Sequence, residues 1–166
     1  MFMNSQAIRS MLAGSGRRLL ILDSNLPILW ITARYDLRLL ATFKRVQMFS
    51  QDDAVLLAWT IDQFKSVVTT AHVVTEASNL GNSLSYNTRM GWFAFLAEFA
   101  SNTEEQTHSL KSLAAYDEFI RFGTTDCALF ALSDTFQVLT TDRRLSNLAE
   151  DAGKSILNFD DLRRVI

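Results

Sequence analysis

Four acidic residues carry the chemistry this sequence offers: Asp23 in LLILDSN, Glu76 in TTAHVVTEASNL, Asp126 in GTTDCALFAL and Asp142 in VLTTDRRL. Three of them sit beside an apolar run or at the start of an expected helix, where an ionisable side chain is usually placed for chemistry rather than solubility. Carboxylates brought together repel, and one must hold a proton unless a cation relieves the repulsion. Hard oxygen donors select Mg²⁺ or Mn²⁺, which keep open positions for water and phosphate. Such a site can activate water for in-line attack on a phosphodiester and stabilise the departing oxygen. Taken singly, each acid has a plainer role: Asp23 and Asp142 as helix caps, Asp126 as a partner of a helix dipole, Glu76 as a solvated helix residue.

The elements that would position these acids follow from the pattern. Residues 19–23 form an apolar run ending in Asp23, followed by Ser24 and Asn25 as capping types and Pro27 in the first helical turn, which reads as strand, turn, helix. Over 50–64, Ser50 and Asp53 make a capping box, and Val55, Ala58, Trp59 and Ile61 fall at amphipathic spacing on a surface helix. Residues 66–69 predict a second strand, and Thr70 caps a helix from about Ala71 to Leu80 that Gly81 stops. Two core-facing helices are expected over Arg89–Ala100 and Glu104–Phe122, the second with Leu110, Leu113, Ala114, Tyr116, Phe119 and Ile120 on its apolar face. Gly123 stops it, and Thr124 or Thr125 caps a helix with Asp126 in its first turn. FQVLT is a third strand, DRRLSNLAEDAG a helix closed by Gly153, and SILNF a fourth strand before a terminal turn. Alternating strands and helices imply a mostly parallel sheet covered on both faces, an α/β/α sandwich, with Asp23 and Asp142 at strand carboxyl ends.

Composition narrows the class. The 166 residues suit one domain able to bury a full core, and 48% hydrophobic with 20% charged residues is a globular profile. Net charge is −2, so no global attraction draws nucleic acid, and steering falls to local cations. The single Cys127 cannot form an internal disulfide and reads as a small buried residue, which fits a reducing cytoplasm. Arg17 and Arg18 precede an apolar run that Asp23 interrupts too early for a signal peptide, and no stretch approaches the ~18 apolar residues of a membrane span. Residues 1–18, with weak periodicity and a Gly-Ser-Gly break, read as an arm that is mobile or docked on a partner. No GxGxxG follows the first strand, which argues against dinucleotide binding. His72 and His108 lack acidic or Cys neighbours at metal spacing, and Trp30, Trp59 and Trp92 sit in core patterns.

In order and local wording, the four acids resemble the PIN domain family of ribonucleases: a strand ending LLILDSN, the pair Thr75-Glu76 on a helix, GTTD opening a helix, and Thr140-Thr141-Asp142 closing a strand before DRRL. The resemblance covers about residues 19–160. It implies an α/β/α sandwich with a mostly parallel sheet of about four or five strands, and a single nuclease domain over 19–166. It also implies an acidic pocket supported by Mg²⁺ or Mn²⁺, and endonucleolytic cleavage of single-stranded or structured RNA in the cytoplasm. Asp23, Glu76, Asp126 and Asp142 would then be metal ligands or water-positioning carboxylates, with Asn25 and Thr140 as supporting polar groups. Arg143 and Arg144, directly after Asp142, are the basic residues best placed for phosphate, ahead of Arg34, Arg38, Lys44 and Arg45. Many bacterial members are toxins, so an antitoxin is an expected partner, and an apolar surface over 82–122 could support a homodimer. The competing expectation is a catalytically silent fold of this type kept as an RNA-binding or protein-interaction module. A phosphatase of the haloacid-dehalogenase type needs a second Asp where Asn25 stands.

Overall fold

The structure, a computed structural model, describes residues 18–165 together with Ile8 and residues 10–13. Its elements, in chain order, are β1 (Leu19–Leu22), α1 (Asn25–Tyr35), a 3₁₀ turn (Leu37–Ala41), α2 (Gln51–Ile61), β2 (Ser66–Thr69), α3 (Ala71–Gly81), α4 (Tyr86–Asn102) and β3 (Glu104–Glu105). These are followed by α5 (Leu110–Leu113), α6 (Asp117–Phe122), α7 (Thr124–Leu132), β4 (Gln137–Thr140), α8 (Arg143–Asp151), β5 (Ile156–Asn158) and α9 (Phe159–Arg163). The strands form one sheet in the order β3-β2-β1-β4-β5, and every neighbouring pair is parallel. Parallel neighbours need crossover connections, which the helices supply.

Side chains alternate across the sheet with the strand period of two, and each set meets its own helical layer. Leu20, Leu22 and Leu139 join Leu26 and Leu29 of α1, Leu56 and Leu57 of α2, and Trp92 and Phe99 of α4 in the larger core. Ile21, Val68 and Val138 face the other way, onto Leu129 and Phe130 of α7 and Leu145 and Ala149 of α8. The result is an α/β protein with a five-strand, all-parallel sheet flanked by helices, as the alternation of elements predicts. Burying each Leu or Ile of β1 contributes about 1.5–3 kcal/mol. That exceeds the ~1 kcal/mol net of a single hydrogen bond, so packing, and not the polar groups at its end, holds β1 in place. Ile8 and Leu12 are also buried in the larger core. Residues 1–7, 9 and 14–17 of the expected arm, including its Gly-Ser-Gly, lie outside the described residues. Among the described residues, no helix is long and apolar enough to cross a membrane.

Three local expectations are corrected. The single helix expected over 104–122 is instead β3 followed by two short helices. Glu104 and Glu105 pair with Val68 and Thr69 of β2 on an exposed edge, and a two-residue polar strand leaves no period to detect. Ser109 then caps a one-turn helix, accepting a hydrogen bond from Ser112 N. Leu110, Tyr116 and Ile120, taken for a core face, are exposed, while Leu113 alone is buried, against Cys127, Ala128 and Ala131. Second, α2 has its capping box, but its buried face is Ala54, Leu56, Leu57 and Thr60, and Val55 points outward. Third, Gly81 is the last residue of α3 rather than a left-handed stop. Its reason is a close approach, since a Cβ there would stand 2.6 Å from the Trp92 ring. Gly123 does take a left-handed conformation, with φ +83°, where the chain turns from α6 into α7.

Trp92 is fully buried and donates its indole N–H to Thr32 Oγ1 at 2.9 Å, so it has little room to yield. Gly81→Ala should therefore cost about 1–3 kcal/mol through overpacking, outweighing the ~1 kcal/mol that Ala contributes to helix propensity. Urea denaturation checks this, and a raised midpoint would contradict the close contact.

Candidate functional site

β1 and β4 are in register with Leu22 opposite Leu139. The ladder continues one step further, since Asp23 N donates to Leu139 O at 2.9 Å. Parallel pairing thus sets Asp23 beside Thr140, 117 residues on, at the carboxyl ends of two central strands. Thr140 Oγ1 donates to Asp23 Oδ2 at 2.6 Å and accepts from Asp142 N at 2.9 Å. The other oxygen of Asp23 accepts from Ser24 N at 2.6 Å. Ser24 does not cap α1 with its side chain. Its hydroxyl donates instead to Glu76 Oε2 at 2.9 Å, across 52 residues of sequence.

Three of the four acidic residues are therefore joined in one chain of hydrogen bonds, in the order Glu76, Ser24, Asp23, Thr140, Asp142, with Ser24 reaching Asp23 through its backbone N–H and Asp142 entering through its own N–H. Glu76 reaches this chain because Thr70 starts α3 directly after β2, accepting from Val73 N at 3.2 Å. Asp142 has the plainer role as well: its Oδ1 caps α8, accepting from Arg144 N at 2.7 Å and Leu145 N at 3.3 Å. Asp126 stands in the first turn of α7 and joins through the electric field.

The charges of this group act on one another. Burial is the main force raising the Asp126 carboxyl, helped by the charges of Asp23, Asp142 and Glu76 and opposed by Arg144, and together they push it up to about 7. Burial also raises Asp23, partly countered by its hydrogen bonds from Thr140 and Ser24, while Glu76 and Asp142 push it further up.

The remaining candidates divide. Asn25 opens α1 beside Asp23 but takes no part in the hydrogen bonds that hold it. Arg143 turns away to a two-pronged pair with Asp161, at 2.7 and 2.8 Å, which holds that carboxyl below its usual range. The guanidinium expected to meet phosphate is matched to a carboxylate in this structure. Arg144 is exposed, acts on Asp126, and lies 5.2 Å from the centre of the Phe122 ring. Arg38 pairs with Asp36, and Arg34 with Glu98. Ser24 as the link to Glu76 was missed, because a Ser after a strand reads as a cap and nothing local announces a partner 52 positions on.

The donor set tests the expected cation. Among the described residues, no three His, Cys, Asp or Glu side chains approach closely enough to enclose one ion. Both oxygens of Asp23 already accept hydrogen bonds, whereas Ser24 engages one oxygen of Glu76 and α8 engages one oxygen of Asp142. Such a set fits a hydrated cation held by one or two carboxylates with its own waters, the usual habit of Mg²⁺, and not a closed protein cage. Surface hollows of about 470 Å³ beside Asp53 and Arg163, about 420 Å³ beside Lys44 and Thr88 and about 230 Å³ beside Trp30 and Phe99 are lined by none of these acids.

Two outcomes are expected. A carboxyl raised to about 7 binds protons more tightly folded than unfolded, so its contribution is greatest below about pH 4 and is lost as pH climbs through 7. Without divalent metal, Asp126→Asn should thus exceed wild type in stability at pH 8, by about 1–2 kcal/mol after allowing for solvent screening. The gain should shrink toward pH 4, and equal midpoints at pH 8 would contradict the shared field. Thr140→Val strips Asp23 of a donor in a buried setting and should cost about 1–3 kcal/mol, with Thr140→Ser restoring most of it in the same urea titration.

No family model, no curated protein and no solved structure matches the chain. The likeness to PIN ribonucleases thus rests on the order of the four acids and their surroundings.

Proposed function

We propose that this protein is a metal-dependent endoribonuclease that hydrolyses RNA phosphodiester bonds at the four-acid site. The observation that carries this reading is the chain of hydrogen bonds that brings Glu76, Asp23 and Asp142 together from three separate segments, with the half-buried Asp126 near enough to feel their charges. Folding does not gather like charges without cost. Their concentration at strand carboxyl ends, where open α/β sheets usually place their ligands, supports a site kept for chemistry.

One or two of Asp23, Glu76, Asp126 and Asp142 would hold a hydrated Mg²⁺ or Mn²⁺, and the others would position its waters. When bound, the cation supplies charge neutralisation for the phosphodiester and an acidified water. The chain's own residues do the positioning. Thr140 and Ser24 fix the Asp23 carboxylate, and the Ser24 hydroxyl fixes Glu76, so neither must reorganise as charge develops. Asp142 is oriented by the first N–H groups of α8. Asp126, whose carboxyl is raised by burial and by its acidic neighbours, would take a proton from an attacking water or return one to the leaving oxygen. Arg144 offers the charge for a phosphate at the rim.

Purified protein should cut labelled single-stranded RNA with Mg²⁺ or Mn²⁺, and EDTA should abolish the cutting. Asp23→Asn and Asp126→Asn should each lower kcat by more than ~10²-fold while staying folded, and Ser24→Ala by about 10- to 100-fold, the range for residues that orient a ligand. Folded wild type that cuts neither single-stranded RNA, structured RNA nor DNA would favour the silent binding module instead.

A further inference from the structure

Beside the four acids lies an arrangement that the reading above leaves unused. Phe122 ends α6, immediately before the Gly123 turn that leads to Asp126. Two guanidinium groups share its half-buried ring: Arg121 at 5.4 Å from the ring centre and Arg144 at 5.2 Å. They come from different elements, α6 and α8. Among the described residues, neither forms a salt bridge, in contrast with Arg143, Arg163 and Arg164, which all do. Arg144 is near enough to the acids to oppose the rise of Asp126.

Two exposed cations could lower their energy most simply by pairing with carboxylates, and Arg143, next to Arg144 in the chain, does so. Arg121 and Arg144 instead rest against an aromatic ring, which attracts a guanidinium without consuming its N–H donors. The N–H forks therefore stay available for an anion, and a planar fork matches a phosphate. A polyanionic chain whose reacting phosphate sits at the acids must pass this rim, where its neighbouring phosphates need positive charge that the protein's net −2 does not supply.

From this we infer that Phe122 is a positioning residue that holds Arg121 and Arg144 as a clamp for RNA backbone phosphates flanking the cleaved bond. The inference rests on the nuclease reading of the acid site and adds Arg121 to its substrate contacts, with Phe122 holding it in place. Because the clamp addresses phosphates and not base edges, it contributes affinity and register without sequence preference.

The test is binding of a fluorescein-labelled oligoribonucleotide, followed by anisotropy over a range of salt with EDTA present, beside steady-state cleavage with Mg²⁺ or Mn²⁺. Arg121→Ala and Arg144→Ala should each weaken binding several-fold at low salt and reduce the log–log salt slope by about 0.7, the value for one single-strand phosphate contact. Phe122→Leu keeps an apolar side chain but loses the ring's attraction for cations, and should weaken binding about 2- to 5-fold. Phe122→Tyr should restore it. In cleavage, all three weakened variants should raise KM, and Arg121→Ala and Phe122→Leu should leave kcat near wild type. Wild type that binds and cuts RNA, with affinity, slope and KM unchanged in Arg121→Ala and Phe122→Leu, overturns the clamp alone. Wild type that neither binds nor cuts overturns the nuclease reading and the clamp with it.

Discussion

The parallel pairing of β1 with β4 is the constraint on which the site depends. With Leu22 opposite Leu139, the next residue of each strand falls at the sheet's carboxyl edge, and those residues are Asp23 and Thr140. A shift of one residue would turn Thr140 to the opposite face and separate its hydroxyl from Asp23. Register is specified because both faces of the sheet are buried: Ile21 and Val138 on one side and Leu22 and Leu139 on the other would all exchange cores in a slip. Apolar packing thus decides a polar contact of 2.6 Å.

That packing also sustains the electrostatic cost of the site. Asp23 is buried, with only its hydrogen bonds from Thr140 and Ser24 to favour the charged form, and the carboxylates around it act against that form. A chain with a weaker core would be free to let β1 and β4 separate and hydrate Asp23. Here the strand ends are held, and the same crowding, with burial as the larger cause, raises the carboxyl of Asp126 to about 7. Stability lost at such a place is often what function requires.

Away from the site, ion pairs join elements that packing alone brings only into proximity. Asp53 shows how one carboxylate serves two purposes. It completes the capping box at the start of α2, accepting from Ser50 N at 2.7 Å, and it takes two hydrogen bonds from Arg163 of α9, at 2.8 and 3.1 Å. Arg163 also lies 5.5 Å from the centre of the Phe49 ring. The last helix is thereby tied to the second across 110 residues. Arg143 and Asp161 make a similar tie between α8 and α9, which is why Arg143 is withdrawn from the acids while Arg144 remains beside them.

Much of the fold was legible in the sequence because its signals are local. Apolar runs mark β1, β2 and β4, and Ser50, Thr70, Gly123 and Gly153 mark helix boundaries through capping hydrogen bonds and left-handed backbone that need only near neighbours. The same holds for the types and order of the four acids. What local pattern could not carry was set by tertiary contacts. Glu104 and Glu105 become a strand only because β2 offers them an edge, and the apolar face expected at Leu110, Tyr116 and Ile120 finds no core to enter. Ser24 turns from its own helix to Glu76, Arg143 is drawn off by Asp161, and Arg144 comes to Phe122, since partners 18 to 52 positions apart meet only when the sheet and its helices have assembled. The sequence by itself therefore determined which chemical groups exist and which elements carry them. The tertiary structure decided which groups face one another, because hydrogen bonds and charge interactions depend on distances that packing sets.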